Sequence, residues 1–302
     1  MTKFSKNRLV IILSSSVGHN SSLGNQLFQI SYGLHLKINK KMNIQFRRNR
    51  KKNGRHSTVD TDDCLDFARS LLINNEFREQ NTLNICLFRL NRFVEILFEK
   101  IGSRINKSEE LAKLNRNVEG YFQDYCFAES IRPELTSRLK QSNLASKIQT
   151  RKLNQIAIHM RFGDYVDNPR FSSIYGTPSI DYYSKAIILL IDILETDNLV
   201  LITDSYDRAR TLISRSTLGE FNFDYAEDSS SLEHFSILMS SKGVVLANST
   251  FSWWGAWMGG CISPNEVVYP KPWYKEVRYD SSGLEVPSWH ALPSGISQFE
   301  VS

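Results

Sequence analysis

The sequence has few cysteines, no C-x-x-C pair and no long apolar run. Its four cysteines are widely scattered, which argues against a structural zinc site and against a disulfide framework. No run of about 18 apolar residues is present, which excludes a transmembrane helix in the sequence given. The first residues also lack the apolar core and cleavage site of a secretory signal. We therefore expect a cytoplasmic protein.

Acidic residues are scarce in the first half of the chain. Residues 1–150 hold 25 Lys and Arg against 14 Asp and Glu, a net charge of +11. Residues 151–302 hold 12 against 18, a net charge of −6. Halves of opposite charge indicate two domains with different roles. We predict an N-terminal domain at 1–145, a second domain at 150–287 and a C-terminal tail at 288–302.

Much of the positive charge lies in Lys40–Arg55, which has eight Lys and Arg residues and no acid. Such a basic stretch suits nucleic acid, anionic lipid or a phosphorylated substrate, and the alternative is a solvated loop. Phe46 is its single aromatic residue, so we expect no nucleic-acid binding. Peripheral contact with anionic lipid on the inner face of a membrane, or contact with a phosphorylated substrate, remains open.

The hydrophobic pattern predicts alternating strands and helices. Short apolar runs typical of buried strands occur at residues 8–14, 155–159, 199–202 and 243–247. Helical spacing follows the first run, and Ser230 with Glu233 predicts a capping box at a later helix. This order is typical of an α/β fold with parallel sheets, in which ligands bind at the carboxyl ends of the strands.

The first polar segment at such a strand end is His159–Tyr165. Arg161 follows the strand, and its planar guanidinium suits a bidentate contact with phosphate. Gly163 would let the backbone approach a ligand closely. The structural alternative is a salt bridge between Arg161 and Asp164 that steadies a turn.

The second segment is Asn248–Trp257, which follows another strand and starts a helix. Free N–H groups at the helix start and the hydroxyls of Ser249, Thr250 and Ser252 would bind a diphosphate. Ordinary N-capping accounts for one of these hydroxyls but not for three. The tryptophans of the segment are equally compatible with a place in the core.

The third segment is Leu23–Gln29, at the first junction of loop and helix. Asn25 and Gln26 would face a cleft if the two domains oppose each other. The alternative is that they only cap the helix.

Taken together, these segments resemble a known family. Leu23–Gln29, His159–Tyr165, Thr203–Asp204, Asn248–Trp257 and Tyr269–Tyr274 occur in the order found in the α-1,2-fucosyltransferases of glycosyltransferase family 11, of bacterial and blood-group H type. The resemblance runs from about residue 9 to 290. Its motifs are specific to the family when taken as a set. It departs from the family pattern in an insertion at Val17–Asn20, and in Phe162, which stands where relatives have a second arginine.

The resemblance implies a GT-B-like fold, in which two Rossmann-like domains face a cleft. The N-terminal domain would take the acceptor and the second domain GDP-fucose. L-fucose would pass with inversion, and without metal, to a 2-hydroxyl of a glycan acceptor, usually a galactoside, which is lipid-linked if the basic stretch contacts membrane. Residues 151–302 contain no D-x-D pair for a Mg²⁺-bridged diphosphate, which agrees with metal-free transfer.

The motifs give each residue a predicted role. The predicted catalytic residues are Asp164 as the base, His159 as the competing base, Arg161 and Asn25. The predicted donor-binding residues are Arg161, Gly163, Asp204, Asn248, Ser249, Thr250, Ser252, Gly24 and Gln26. No metal ligand is predicted.

Three alternatives stay open. A fucosyltransferase of another linkage, such as α-1,6, shares the arginine and Gly-Asn-Gln motifs. A non-catalytic basic binding protein would rest on Lys40–Arg55 alone. A sugar-nucleotide binder without activity is disfavoured by the intact Arg161, Asp164 and Asn248.

Overall fold

The computed structural model describes residues 8–13, 22–48, 64, 66–68, 70–72, 76–79, 117–118, 120–142 and 153–296. Within these ranges the chain forms two parallel sheets flanked by helices, as expected of an α/β fold. The described cysteines at positions 64, 126 and 261 are free thiols. No helix in the described ranges combines the length and the apolar character that a membrane span needs.

The first sheet has four strands in the order β3-β2-β1-β4. Its strands are β1 (Arg8–Leu13), β2 (Asn43–Arg48), β3 (Phe77–Glu79) and β4 (Asn117–Val118). Its helices are α1 (Ser22–Asn39), α2 (Tyr125–Ser130) and α3 (Arg132–Gln141). Strand β2 extends into the basic stretch Lys40–Arg55, so that stretch is not a loop throughout. Its residues 49–55 lie outside the described ranges.

The second sheet has six strands in the order β10-β9-β8-β5-β6-β7. Its strands are β5 (Leu153–Met160), β6 (Leu199–Thr203), β7 (Phe223–Tyr225), β8 (Ser241–Val245), β9 (Glu266–Lys271) and β10 (His290–Pro293). Its α-helices are α4 (Gly163–Asp167), α5 (Pro169–Ile174), α6 (Ile180–Leu194), α7 (Tyr206–Ser214), α8 (Ser231–Ser240) and α9 (Thr250–Ile262). Short 3₁₀ helices occur at Thr217–Glu220 and Ser282–Leu284.

The predicted domains 1–145 and 150–287 each contain one sheet, apart from β10. This strand belongs to the segment predicted as a tail, and it pairs in parallel with β9. The N–H of Ser294 donates to the Lys271 carbonyl, and the carbonyl of Ser294 accepts from the N–H of Ser179. These bonds extend the second sheet past residue 287.

The chain order reverses at the centre of the second sheet. From β5 the chain adds β6 and then β7 on one side, and it returns to place β8 on the other side of β5. A crevice opens at such a reversal, outside the carboxyl ends of the strands. The segments that follow β5 and β8 contain Arg161 and Asn248, so the topology brings the first two motifs together.

Helix α1 connects the two halves through a shared apolar core. The ring of Phe28 lies 4.8 Å from Trp253 and 5.0 Å from Trp254, measured between centroids, and all three side chains are buried. At the start of α1 the backbone of Gly24 lies against Thr250, because a Cβ at position 24 would be 2.5 Å from the Thr250 carbonyl carbon. The N-termini of α1 and α9 therefore meet at one place, and the third motif joins the other two.

Candidate active site

The three motifs meet in a cleft of about 350 Å³. It opens at the carboxyl ends of β5, β6 and β8 and is closed on the other side by residues of the first half. Eight of the predicted site residues line it, namely Asn25, His159, Arg161, Asp164, Asp204, Asn248, Ser249 and Thr250. Gly24, Gln26, Gly163 and Ser252 are not among the lining residues.

Arg161 is held by an aspartate that follows the neighbouring strand. Its Nη1 atom lies 2.9 Å from Oδ2 of Asp204, and the two side chains are 11% and 17% exposed. The other oxygen, Oδ1, accepts a 2.9 Å hydrogen bond from the backbone N–H of Phe162. The alternative pairing of Arg161 with Asp164 is wrong, because the partner is Asp204. Asp204 thus orients the guanidinium, and Asp164 takes no part in this ion pair.

The structure shows why position 163 is a glycine, a reason that the sequence did not indicate. Its φ is +23°, and a Cβ there would be 2.4 Å from Oδ2 of Asp204. A side chain would therefore displace the carboxylate that holds Arg161. The close neighbour of the Gly163 backbone is thus the Asp204 side chain, and the approach to a ligand stays a prediction.

The start of α9 presents polar groups to the cleft. Ser249 is the N-cap, and its Oγ accepts from the N–H of Phe251. Ser249 and Thr250 line the cleft, whereas Ser252 is fully buried. The Ser252 hydroxyl donates to the Ser249 carbonyl at 3.1 Å, so it satisfies the backbone of its own helix. The expectation of three hydroxyls facing a ligand is corrected to two.

Asn248 braces the loops around the cleft. Its side chain is fully buried, and Nδ2 donates to the carbonyls of Tyr175, Gly176 and Trp273 at 3.1–3.2 Å. The Oδ1 atom is buried without a hydrogen-bond partner among the described residues. The amide therefore fixes the segments that follow α5 and β9 relative to the end of β8.

Asn25 connects the two halves across the cleft. Its Oδ1 accepts from Nε2 of Gln123 at 3.0 Å and from the hydroxyl of Thr250 at 3.4 Å. The hydroxyl of Tyr274 donates to Oε1 of Gln123 at 3.0 Å. Gln26, which we expected in the same role, is 2% exposed and lies in the interior behind the cleft.

His159 is a neutral imidazole at the bottom of the cleft. It is 5% exposed, and its Nδ1 has no hydrogen-bond partner among the described residues. Burial, with smaller contributions from Arg161 and His234, lowers the pKa of His159 to about 3. Protonation would place a positive charge in this buried site, which disfavours His159 as the proton acceptor. Asp164 lies in the first turn of α4 on the same cleft, with a partly exposed side chain.

The cleft also has an aromatic part that the sequence motifs did not predict. Tyr165 and Tyr175 stack with their centroids 4.4 Å apart and an interplanar angle of 3°. The Tyr165 hydroxyl donates to the Asn248 carbonyl at 3.3 Å. The ring centroids of Tyr175 and Tyr274 lie 5.6 Å apart. The other residues missed are Tyr121, Gln123, Phe171, Ile202, Thr203, Tyr206, Ser229, Ser231, His234, Phe251 and Trp273. The capping box predicted at Ser230 is present and places its two neighbours on the cleft.

Two parallel α/β halves that face a cleft, with an arginine and a helix N-terminus at the strand ends, form a site suited to a phosphorylated ligand. The model of Glycosyl transferase family 11 matches residues 5–282, and the chain belongs to this family. It is 27% identical over 233 residues to the O-antigen biosynthesis glycosyltransferase WbnK of Escherichia coli, covering 70% of this chain and 74% of that protein.

A second relative is an alpha-1,2-colitosyltransferase of Escherichia coli, 24% identical over 282 residues, or 86% of this chain and 92% of that protein. Among solved structures, the E. coli heptosyltransferase WaaC with ADP is similar with a TM-score of 0.43 and 12% identity. The alignment covers 95% of this chain and 93% of WaaC. Because it belongs to family 11, the chain is a glycosyltransferase. Its two parallel sheets and the cleft lined by residues of both halves agree with the GT-B-like fold that the resemblance implied.

Proposed function

We propose that the protein transfers L-fucose from GDP-fucose, with inversion, to a 2-hydroxyl of a galactoside, and so forms an α-1,2 linkage. The observation that carries this proposal is the pairing of Arg161 with Asp204 next to the N-terminus of α9. Such a site suits a diphosphate, because guanidinium and backbone N–H groups bond phosphate oxygens. The name of the colitosyltransferase relative supports the α-1,2 linkage.

The chemistry is a single displacement. The acceptor oxygen forms a bond to C1 of the fucose as the bond between C1 and the phosphate oxygen breaks. GDP leaves with the electron pair, and Arg161 with the N–H groups of α9 stabilises its added charge. The proton of the acceptor hydroxyl passes to the carboxylate of Asp164. We assign the base to Asp164 rather than His159, because the Asp164 carboxylate is partly exposed on the cleft, whereas the His159 imidazole is buried.

A direct test measures GDP release from GDP-fucose with a panel of galactosides, followed by linkage analysis of the product. We expect acceptor-dependent release and an α-1,2 product. An α-1,6 product would support the alternative linkage. The name of the colitosyltransferase relative suggests colitose as a second candidate for the transferred sugar, so a colitosyl donor is tested with the same acceptors. Transfer of colitose with no transfer of fucose would overturn the donor assignment.

We also propose that turnover needs no divalent metal. Within the described residues, no group of three or more His, Cys, Asp and Glu side chains is placed to hold one. The D-x-D triplet Asp60–Asp62 lies outside those residues. Activity should persist in EDTA, and loss of turnover that Mg²⁺ or Mn²⁺ restores would contradict this part of the proposal.

The basic stretch Lys40–Arg55 leads to a proposal about location. We propose that it holds the enzyme on the inner face of an anionic membrane, next to a lipid-linked acceptor, at about 1 kcal/mol per contacting charge. Liposome flotation compares the wild type with a variant in which Arg47, Arg48, Lys51 and Lys52 are changed to Ser. Equal flotation of the two proteins would contradict this proposal and indicate that the basic stretch is only a solvated surface.

A further inference from the structure

Aromatic rings lead stepwise away from Arg161 along the cleft. The guanidinium carbon of Arg161 lies 5.7 Å from the centroid of Tyr165, which stacks on Tyr175. Tyr175 in turn contacts Tyr274. The cleft thus has a charged part suited to a diphosphate and an aromatic part that the proposed donor chemistry does not use.

Tyr121 extends this aromatic part to the surface. It lines the cleft, yet its side chain is 54% exposed, the largest exposure among the large hydrophobic residues described. The phenol of Tyr121 also contributes to the raised pKa of Tyr175, which burial shifts to about 12. The cleft lining thus includes both the exposed ring of Tyr121 and the half-buried ring of Tyr175.

The backbone around Tyr121 is strained and firmly anchored. Phe122 has a φ of +51°, a left-handed conformation that bulky residues rarely adopt. Its ring stacks on Tyr32 with centroids 4.1 Å apart, and Nε2 of Gln29 donates to the Gly120 carbonyl at 2.8 Å. Strained backbone that its surroundings hold in place is concentrated at functional sites. Here it turns the residues on both sides of Phe122, Tyr121 and Gln123, toward the cleft.

We propose that Tyr121, Tyr175 and Tyr274 form the acceptor subsite and bind a β-galactoside through the apolar face of its pyranose ring. This inference rests on the proposed function and identifies where its second substrate binds. The axial 4-hydroxyl of galactose leaves a patch of C–H groups on the opposite face, which packs well against a phenol ring. Tyrosine also offers a hydroxyl at the edge of the ring for the polar rim of the sugar.

Amides next to these rings complete the subsite. Asn25 uses its Oδ1 atom for Gln123 and Thr250, and its Nδ2 donates to none of the described residues. It is therefore available to a sugar hydroxyl. Because Asn25 also contacts the start of α9 through Thr250, a sugar bonded to it lies next to the diphosphate part of the cleft.

The experiment measures binding of methyl β-galactoside to the GDP-saturated enzyme by calorimetry, for Tyr121→Ala and Tyr121→Phe. We expect Tyr121→Ala to weaken binding about three- to tenfold, the value of one aromatic contact. Tyr121→Phe should bind within about twofold of wild type, because the ring carries the contact. The affinity for GDP should be unchanged in both variants. Since Tyr121 is exposed, neither change removes core packing.

Tyr279→Ala is the matched control. Tyr279 is 41% exposed and its ring centroid lies 5.7 Å from that of Tyr274, but it does not line the cleft. Its replacement should change galactoside affinity by no more than about twofold. The subsite is overturned if Tyr121→Ala binds the galactoside as the wild type does, or if the GDP-saturated wild type does not bind it. Failure of the wild type to bind GDP would instead contradict the proposed function, and the subsite with it.

Discussion

Nη1 of Arg161 and Oδ2 of Asp204 lie 2.9 Å apart at the ends of neighbouring strands, and both side chains are largely buried. The pair fixes the position of the one arginine in the segment His159–Tyr165. The N–H of Phe162, the next residue, donates to the same carboxylate. The orientation of Arg161 is therefore set before any ligand arrives.

Replacing Arg161 should weaken GDP binding. We expect Arg161→Ala to raise the Kd for GDP about tenfold or more, since hydrogen bonds to charged groups contribute about 1.5–3 kcal/mol. Arg161→Lys should rescue poorly, because an ammonium cannot form two parallel hydrogen bonds. Calorimetry with GDP measures both. The control is Arg208→Ala, which removes an exposed arginine paired with Asp167. Equal Kd values for Arg161→Ala and wild type would contradict the assignment.

Replacing Asp164 should slow turnover without loss of GDP. Asp164→Asn keeps the shape of the side chain and removes the proton acceptor, so kcat should fall by about 10²–10⁴. The Kd for GDP should stay within about threefold, because Arg161 is held by Asp204 instead. Asp167→Asn, on the same helix but exposed, is the matched control. A variant at position 164 that keeps the wild-type rate would place the base elsewhere.

Strand ends and motif positions could be predicted from the sequence because they depend on local patterns. Buried apolar runs give the strands of a parallel sheet, and polar residues directly after them fall at its carboxyl edge. Arg161, Asn248 and Thr250 line the cleft for this reason. The aromatic part of the site could not be predicted in the same way. Tyr121 and Tyr175 belong to different halves of the chain, and only the tertiary fold places both on one cleft.

The direction of single side chains was also beyond local patterns. Ser252 belongs to a run of hydroxyls, but within the first turn of α9 its Oγ bonds to a backbone carbonyl. The partner of Arg161 depends on the next strand, 43 residues away in the chain, rather than on Asp164 three residues away. The segment 288–302 was predicted as a tail, yet it contains strand β10, which pairs in parallel with β9.

The buried His159 should make stability depend on pH. Its pKa is about 3 in the folded chain against 6.5 ordinarily, so between these values protons bind the unfolded state more strongly. The contribution of a neutral His159 is complete above pH 6.5 and is lost progressively as pH falls toward 3. Between pH 7.5 and 5.5 we expect a loss of about 1 kcal/mol from this group.

Urea unfolding at the two pH values measures this loss. The His159→Gln variant has no titrating group at position 159, so its free energy of unfolding should fall less than that of the wild type over the same pH interval. His290→Gln is the control, because His290 is partly exposed on the edge strand β10. If wild type and His159→Gln lose the same amount, the imidazole is not held neutral.

The contact between Gly24 and Thr250 should make position 24 intolerant of any side chain. A Cβ there would lie 2.5 Å from the Thr250 carbonyl carbon and 2.7 Å from its oxygen, and backbone atoms cannot move aside as a flexible side chain can. We expect Gly24→Ala to lower the free energy of unfolding by about 1–3 kcal/mol. It should also weaken GDP binding, because it displaces the start of α9.

Gly260→Ala tests whether this effect is specific to the junction between the two halves. In α9 a Cβ at position 260 would meet only the side chain of Asn265, at 3.0 Å, which can give way. Alanine also favours the helix by up to about 1 kcal/mol, so this variant should be as stable as the wild type or more stable. Urea unfolding and GDP calorimetry on both variants give the comparison. If Gly24→Ala matches Gly260→Ala in both measurements, the N-termini of α1 and α9 are not in the close contact that joins the third motif to the cleft.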